Sequence, residues 1–286
     1  MTAIIIPRRH YTQPQGRVEV APFVDAGKSF LFNAGSGATD LATGKLLQYV
    51  GEPVFNTGPQ GRYFDCGEKV NAIYRSVTND PTVTNRQQYL LFAVFQHRTL
   101  GSSTQTNNGF DLSGDYGKTC AIGNGGEYSA YIGATVRPSN QLQSWVSPTR
   151  PADGTIFSLA LLVRTGAQPY VSCTYIEVPG NTRTERAYLS STVTNAADGY
   201  KYIAVGGNAY QSAPPIPLNK RILCAAVLTQ ENISSAMADE LVENPWQLFR
   251  ADPIRIYSLP SGAITLGTPS ITNITPSGFR VAVGLS

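Results

Sequence analysis

The chain has 286 residues, only 14% of them charged, and a net charge of +3. That charge is too small for an electrostatic grip on nucleic acid, and there is no long Lys/Arg run. Gly (27), Pro (19) and Tyr (15) are plentiful. Turn-formers mixed with β-branched and aromatic residues point to an all-β protein, and the length suffices to bury a large core without metals or disulfides.

Residues 1–27 read as an extended arm. Pro7, Pro14, Gly16 and Pro22 block helix, while Ile4, Ile5 and Ile6 need a surface to bury against, either their own domain or a neighbouring subunit. The apolar run Ala3–Ile6 is too short for a signal peptide and is followed, not preceded, by Arg8 and Arg9. No stretch approaches the ~20 apolar residues of a spanning helix. The expectation is a soluble chain, made in a cytoplasm, with no membrane insertion.

From residue 28 the pattern becomes strand, turn, strand. Predicted strands cover 28–34, 70–77, 88–97, 127–136, 155–165, 169–178, 186–193, 201–207 and 221–230, separated by segments such as NAGSGATD and IGNGGE. QYLLFAVF and TIFSLALLV are almost continuously apolar, as central strands covered on both faces should be. The spacing predicts one large two-sheet sandwich over 28–258.

Residues 229–243 break the pattern. Ile233, Met237 and Leu241 recur every fourth position, with Ala236 on the same face, which predicts an amphipathic helix capped by Thr229 and stopped before Pro245. Asp239, Glu240 and Glu243 then read as its solvated face. Trp246, Leu248 and Phe249 follow as an apolar plug, and the helix and plug are expected to close an open end of the sandwich. Residues 259–286 read as a linker and two short strands around the turn TPSG, which make no stable domain by themselves.

The cysteines (Cys66, Cys120, Cys173, Cys224) form no C-x-x-C pair and read as reduced thiols, with Cys173 and Cys224 inside strand-like runs. The only histidines, His10 and His97, have no partner placed for a zinc site or a catalytic triad, and there is no G-x-S-x-G or P-loop. Two segments are candidate ligand sites. NNGFDLSGDYGK carries Asp111, Asp115 and Tyr116 among flexible residues, where Ca²⁺ or a sugar would find oxygen ligands or hydrogen bonds. It lacks the D-x-D-x-D-G spacing of an EF-hand, so no cofactor is assigned. LQSWVSPTRP reads as a loop presenting Trp145, a platform on which a pyranose ring can stack.

A strand (RILCAAVL), a helix (TQENISSAMADELVE) and NPWQLF follow one another over 221–249, and the chain opens with IIIPRRHYTQPQG. This order resembles tailed-phage and prophage virion proteins with a LamG-like, concanavalin-type jelly-roll domain. In that family the last sandwich strand leads into a short capped helix, and an Asn-Pro-Trp-x-x-Phe/Leu plug closes the domain. Between 28 and 220 the likeness is one of pattern only. The position three after the expected cap is Asn232, where relatives often have an acidic residue completing a capping box. Residues 267–286 resemble the opening strands of a fibronectin type III module.

The resemblance implies a non-enzymatic virion protein, either a tail-fibre or baseplate component that touches a host glycan, or a capsid decoration protein. It also implies assembly in a bacterial cytoplasm with other virion proteins and with itself, a trimer being expected. The same fold class includes glycan hydrolases. Those enzymes place their carboxylates as Glu-x-Asp-x-x-Glu on one strand, and no such spacing occurs here.

Overall fold

The computed structural model describes residues 13–14, 20–21, 23–52, 54–65, 72–77, 86–97, 110–113, 119–124, 131–137, 143–178, 181–196, 200–206, 220–249, 274–275 and 278–279. The strands are β1 (Ser29–Asn33), β2 (Thr39–Asp40), β3 (Lys45–Leu46), β4 (Gln48–Val50), β5 (Val54–Gly58), β6 (Gly61–Asp65), β7 (Ala72–Ser76), β8 (Gln88–His97) and β9 (Phe110–Ser113). They continue as β10 (Thr119–Asn124), β11 (Ile132–Arg137), β12 (Gln143–Val146), β13 (Ile156–Arg164), β14 (Tyr170–Val178), β15 (Asn181–Tyr188), β16 (Tyr202–Val205) and β17 (Lys220–Leu228). Two sheets result. The first runs β15-β14-β13-β8-β17-β1-β2-β3, with β6 also pairing β17 and β5 pairing β6; the second runs β12-β11-β10-β9-β16-β7-β4. All described pairs are antiparallel, and the described residues form an all-β jelly-roll-type sandwich with one short α-helix among them, as the composition predicts.

Alternation along β8 explains why its sequence is apolar throughout. Tyr89, Leu91, Ala93 and Phe95 face the second sheet and join Ile73, Phe110, Leu112 and Ile122 in the core between the sheets. Leu90, Phe92 and Val94 belong to a separate apolar cluster on the other face. That second cluster is roofed by the helix α1 (Ser235–Glu243) and the 3-10 turn Pro245–Phe249.

The position of this roof corrects the expectation of a plugged end. The helix packs on β13, β14 and β8, across the broad outer face of the first sheet. Leu241, Val242, Trp246, Leu248 and Phe249 are buried against Phe92, Ala160, Leu162 and Ala226. Each such large side chain contributes about 1.5–3 kcal/mol by leaving water. A central strand with two apolar faces needs a cover on each, and the C-terminal elements supply the second cover.

The helix also starts later than its periodicity predicts. Ser234, not Thr229, is the N-cap, and its hydroxyl accepts from the Met237 N–H at 3.2 Å. Ile233 sits just before the cap and shares a buried cluster with Ala238, the pairing of a hydrophobic staple. Met237 occupies the position three after the true cap, so there is still no capping box. Thr229 instead continues the strand alignment, its N–H and hydroxyl both donating to the Lys28 carbonyl. Asn244 ends the helix before Pro245, its N–H bonding the Glu240 carbonyl.

Several further expectations are corrected. The strand placed at 186–193 is β15, Asn181–Tyr188, and that placed at 127–136 is β11, which begins at Ile132. Strands β2 to β6, β9, β10 and β12 lie outside the predicted strands, because they are short and rich in Gly, Thr and Asn. Asp65 ends strand β6 and lies 3.9 Å from Arg221. The predicted C-terminal hairpin is present as β18 (Ile274–Thr275) and β19 (Gly278–Phe279). Cys120, Cys173 and Cys224 are buried thiols, while Cys66 and His10 lie outside the described residues. Burial raises the pKa of Cys173 and Cys224 well above the ordinary thiol value.

The described part of the N-terminal arm is tied to its own sandwich. At Leu223 the β17 register slips against β8, and the Gln13 side-chain amide donates to the Leu223 carbonyl and to Asn33 Oδ1, each at 2.9 Å. The Ala21 N–H donates to the Leu248 carbonyl, so arm and roof are joined.

Candidate functional site

The two sheets have two outer faces, and the roof, with arm residues such as Ala21 and Val24, occupies that of the first. On the second sheet one register row crosses every strand: Gln48, Tyr74, Ala204, Asp111, Ala121, Thr135 and Ser144 are paired in turn from β4 to β12. The neighbouring row, Ile73, Val205, Phe110, Ile122, Ala134 and Trp145, points into the inter-sheet core. Because successive strand residues alternate in direction, the first row belongs to the outward face.

This face has a definite shape. Ala204 and Ala121 are 0% and 1% exposed yet belong to neither apolar cluster. Gly123 and Gly133 pair beside them and are also buried. Around this floor of small residues stand side chains that remain accessible. Tyr74 and Tyr202 are half-buried and meet edge-on, 6.2 Å between ring centroids, while Ser76, Ser144 and Val146 are exposed. These small residues are themselves out of reach of water, so what this face offers is the Tyr74–Tyr202 pair and the exposed hydroxyls of Ser76 and Ser144, groups that can stack on a ring and bond its hydroxyls.

The residues predicted from sequence fall as follows. Asp111 holds the middle position of the outward row, on β9 opposite Ala121 and Ala204. Asp115 and Tyr116 lie outside the described residues. Trp145 is on the edge strand β12, not on a loop; it pairs with Ala134 and packs partly against the inter-sheet core. Much of its ring is therefore committed to packing. Tyr74 and Tyr202 were not predicted. They are far apart in sequence, and the only local signal is the alternation of apolar residues around them, as in Tyr202-Ile203-Ala204-Val205.

The helix face read as solvated makes specific contacts with the sheet. Asp239 Oδ1 accepts from the Tyr170 hydroxyl at 2.7 Å and lies 3.0 Å from Arg186 Nε, and Arg186 also reaches Glu243 at 2.9 Å. Burial alone would raise the Asp239 pKa, but the Tyr170 hydroxyl and the Arg186 guanidinium bonded to it hold it below the ordinary carboxylate value. Tyr170 is pushed up to about 12, by burial first and then by its bond to Asp239. These carboxylates are structural latches between roof and sheet. Among the described residues no three His, Cys, Asp or Glu side chains converge as a metal site would require.

No family model matches the chain, and no curated protein sequence matches it. Solved structures do align with it. One is the tailspike protein 2 enzymatically active domain of bacteriophage CBA120 (TM-score 0.48, 10% identity, covering 74% of this chain and 32% of that one). Peanut lectin aligns with a TM-score of 0.39 and 9% identity over 72% of this chain and 98% of the lectin. The CBM40 of the Ruminococcus gnavus IT-sialidase aligns with a TM-score of 0.43 and 10% identity over 68% and 98%. The chain thus spans about a third of the tailspike domain's length, and it is similar to lectin-like and tailspike β-sandwiches in its two-sheet fold.

Proposed function

We propose that this chain is a non-enzymatic structural protein of a phage virion, a tail-fibre or baseplate component, whose second sheet contacts a glycan through its outward face. The virion context comes from the strand, helix and Asn-Pro-Trp-x-x-Phe order at 221–249. The binding role rests on one observation: the outward row of the second sheet, with the Tyr74–Tyr202 pair beside the Ala204 and Ala121 floor. The first sheet's outer face is occupied by the chain's own roof, whereas Tyr74, Tyr202, Ser76 and Ser144 of the second remain at least partly accessible. On this reading the protein is a homo-oligomer within the particle.

Glycan-array binding by the full chain, compared with Tyr74→Ala and Tyr202→Ala, tests the role. Aromatic stacking on a polar surface contributes about 0.5–1.5 kcal/mol, so each variant should weaken binding severalfold while keeping the thermal midpoint. An array that stays blank for the wild type, or binding that neither variant changes, overturns the assignment. Labelling of assembled particles tests the location, with signal on the capsid shell overturning the tail.

A further inference from the structure

Strand β15 is the outermost strand at one side of the first sheet, and among the described residues it pairs with β14 alone. Its eight residues, NTRTERAY, make a long edge that contains neither Pro nor Lys. The register with β14 runs unbroken from Ile176–Thr182 to Tyr170–Tyr188, so no bulge bends this stretch. The roof helix packs on β13, β14 and β8 and leaves Thr182, Arg186 and Tyr188 exposed. An unblunted edge is a template for another strand.

The backbone of this edge has a definite phase. The Leu189 N–H donates to the Pro169 carbonyl at 2.8 Å, in line with the Tyr170–Tyr188 register. Residues of an antiparallel strand bond alternately to one neighbour and to the other. Arg183, Glu185 and Ala187 therefore turn their N–H and C=O groups to β14, and Thr182, Thr184 and Arg186 turn theirs away from the sheet.

The side chains restrict what can pair there. A second β15 laid antiparallel must set outward-bonding residues against each other, so the two-fold axis passes through a residue and not between two. At Arg183 or Arg186 the axis would oppose two guanidinium groups, and at Glu185 two carboxylates. Nearer either end only a short stretch overlaps. With the axis at Thr184, each Arg183 lies opposite Glu185 of the other copy, each Thr182 lies opposite Arg186, and no like charges meet. Arg183–Glu185 is then a non-hydrogen-bonded pair, where opposed side chains come closest. Arg183 and Glu185 are already 3.6 Å apart within one copy, so the axis gathers four charges of alternating sign, and Arg183 keeps its 2.7 Å bond to Thr149. Tyr188, 61% exposed beside Tyr170, becomes the diagonal neighbour of Thr182 in the other copy.

We infer that two copies of this chain join edge to edge through β15, about a two-fold axis at Thr184, so that their first sheets continue as one. This is a two-fold contact where the resemblance to virion proteins implies a trimer. It rests on the homo-oligomer of the proposed function and on no other part of that reading.

Sedimentation equilibrium of the full chain, with mild oxidation of Thr184→Cys and Thr182→Cys, tests the contact. The wild type should form dimers that dissociate on dilution. Thr184→Cys should cross-link, because directly opposed residues of a hydrogen-bonded pair have Cα atoms about 5.5 Å apart, within reach of a disulfide. Thr182→Cys should not, because a four-residue offset puts it about 13 Å from its counterpart. Glu185→Arg should weaken the dimer about tenfold, since attraction becomes repulsion at two symmetric contacts, and adding Arg183→Glu should restore it. The cysteine pair decides the register even where a charge variant fails to fold. A monomer at every concentration, a trimer, equal cross-linking of both cysteine variants, or a folded Glu185→Arg that dimerises like the wild type would overturn the inference. A trimer would leave the homo-oligomer standing while a monomer would remove both, so the two failures are distinguishable.

Discussion

Asp40 on β2 of the first sheet meets Arg75 on β7 of the second, 2.9 Å from Oδ2 to Nη1, and the carboxylate is 0% exposed. Its Oδ1 accepts from the backbone N–H groups of Leu31 and Ala42, and Thr43 donates to Oδ2 at 2.7 Å. This residue thus turns the chain from β1 to β2 and joins the two sheets at their edge. Burying a carboxylate is costly unless donors surround it, and here four do.

Asp40→Ala should therefore be strongly destabilising, by about 3–5 kcal/mol, because it removes the carboxylate that a largely buried guanidinium and several N–H donors share. Urea unfolding measures this. A loss below about 1 kcal/mol, the worth of an exposed pair, would mean the pair does not hold the sheets.

The Tyr170–Asp239–Arg186 latch makes stability depend on pH at both ends of the scale. Asp239 has a lowered pKa in the fold, so its contribution is complete above the unfolded value near 3.9 and is lost as pH falls through the folded one. Tyr170 has a raised pKa, about 12 in the fold. Its contribution is complete below the unfolded value near 10 and is lost as pH rises from there toward the folded value. Thermal midpoints should fall at both extremes, with a shallower acid limb in Asp239→Asn and a shallower alkaline limb in Tyr170→Phe. Limbs identical to the wild type would rule the latch out as the source.

The arm is anchored where Gln13 meets the β17 irregularity. Gly61 makes room for it: its φ is +123°, and a Cβ there would come 2.4 Å from Gln13 Oε1. Gln13→Ala should cost about 1–3 kcal/mol by leaving buried polar partners unsatisfied, and should speed proteolysis of the first residues. Gly61→Ala should do the same from the opposite side of the contact. Unchanged cleavage rates in both variants would show that the arm is held elsewhere.

The roof stabilises the first sheet by covering it. Trp246→Ala should cost about 3–5 kcal/mol, as large-to-small changes in a packed core do. A chain truncated after residue 234 should bind a hydrophobic dye, since it bares Phe92, Ala160 and Leu162. A truncated chain that stays compact and binds no dye would contradict the covering role.

Much of the sandwich was legible in the sequence because burial leaves a pattern. QYLLFAVFQH has apolar residues at successive positions, and both faces of β8 are in fact covered. FDLS, TCAIGN and QSWV hid part of the second sheet, because four to six residues interrupted by Gly, Asn and Ser look the same in a strand and in a turn. Trp145 was misplaced for that reason: its polar neighbours suggested a loop, yet every second one merely faces outward from an edge strand.

Sequence by itself determined the all-β class, the central strands, the existence of the helix and the burial of Trp246, since each follows from the local alternation or recurrence of apolar residues. Only the tertiary structure decided that the helix lies over a sheet face instead of an end, that Asp239 is clasped by Tyr170 and Arg186, and that Tyr74 meets Tyr202. These depend on which strands become neighbours. Strand order is set by contacts among residues far apart in the chain, and no local window of sequence records them.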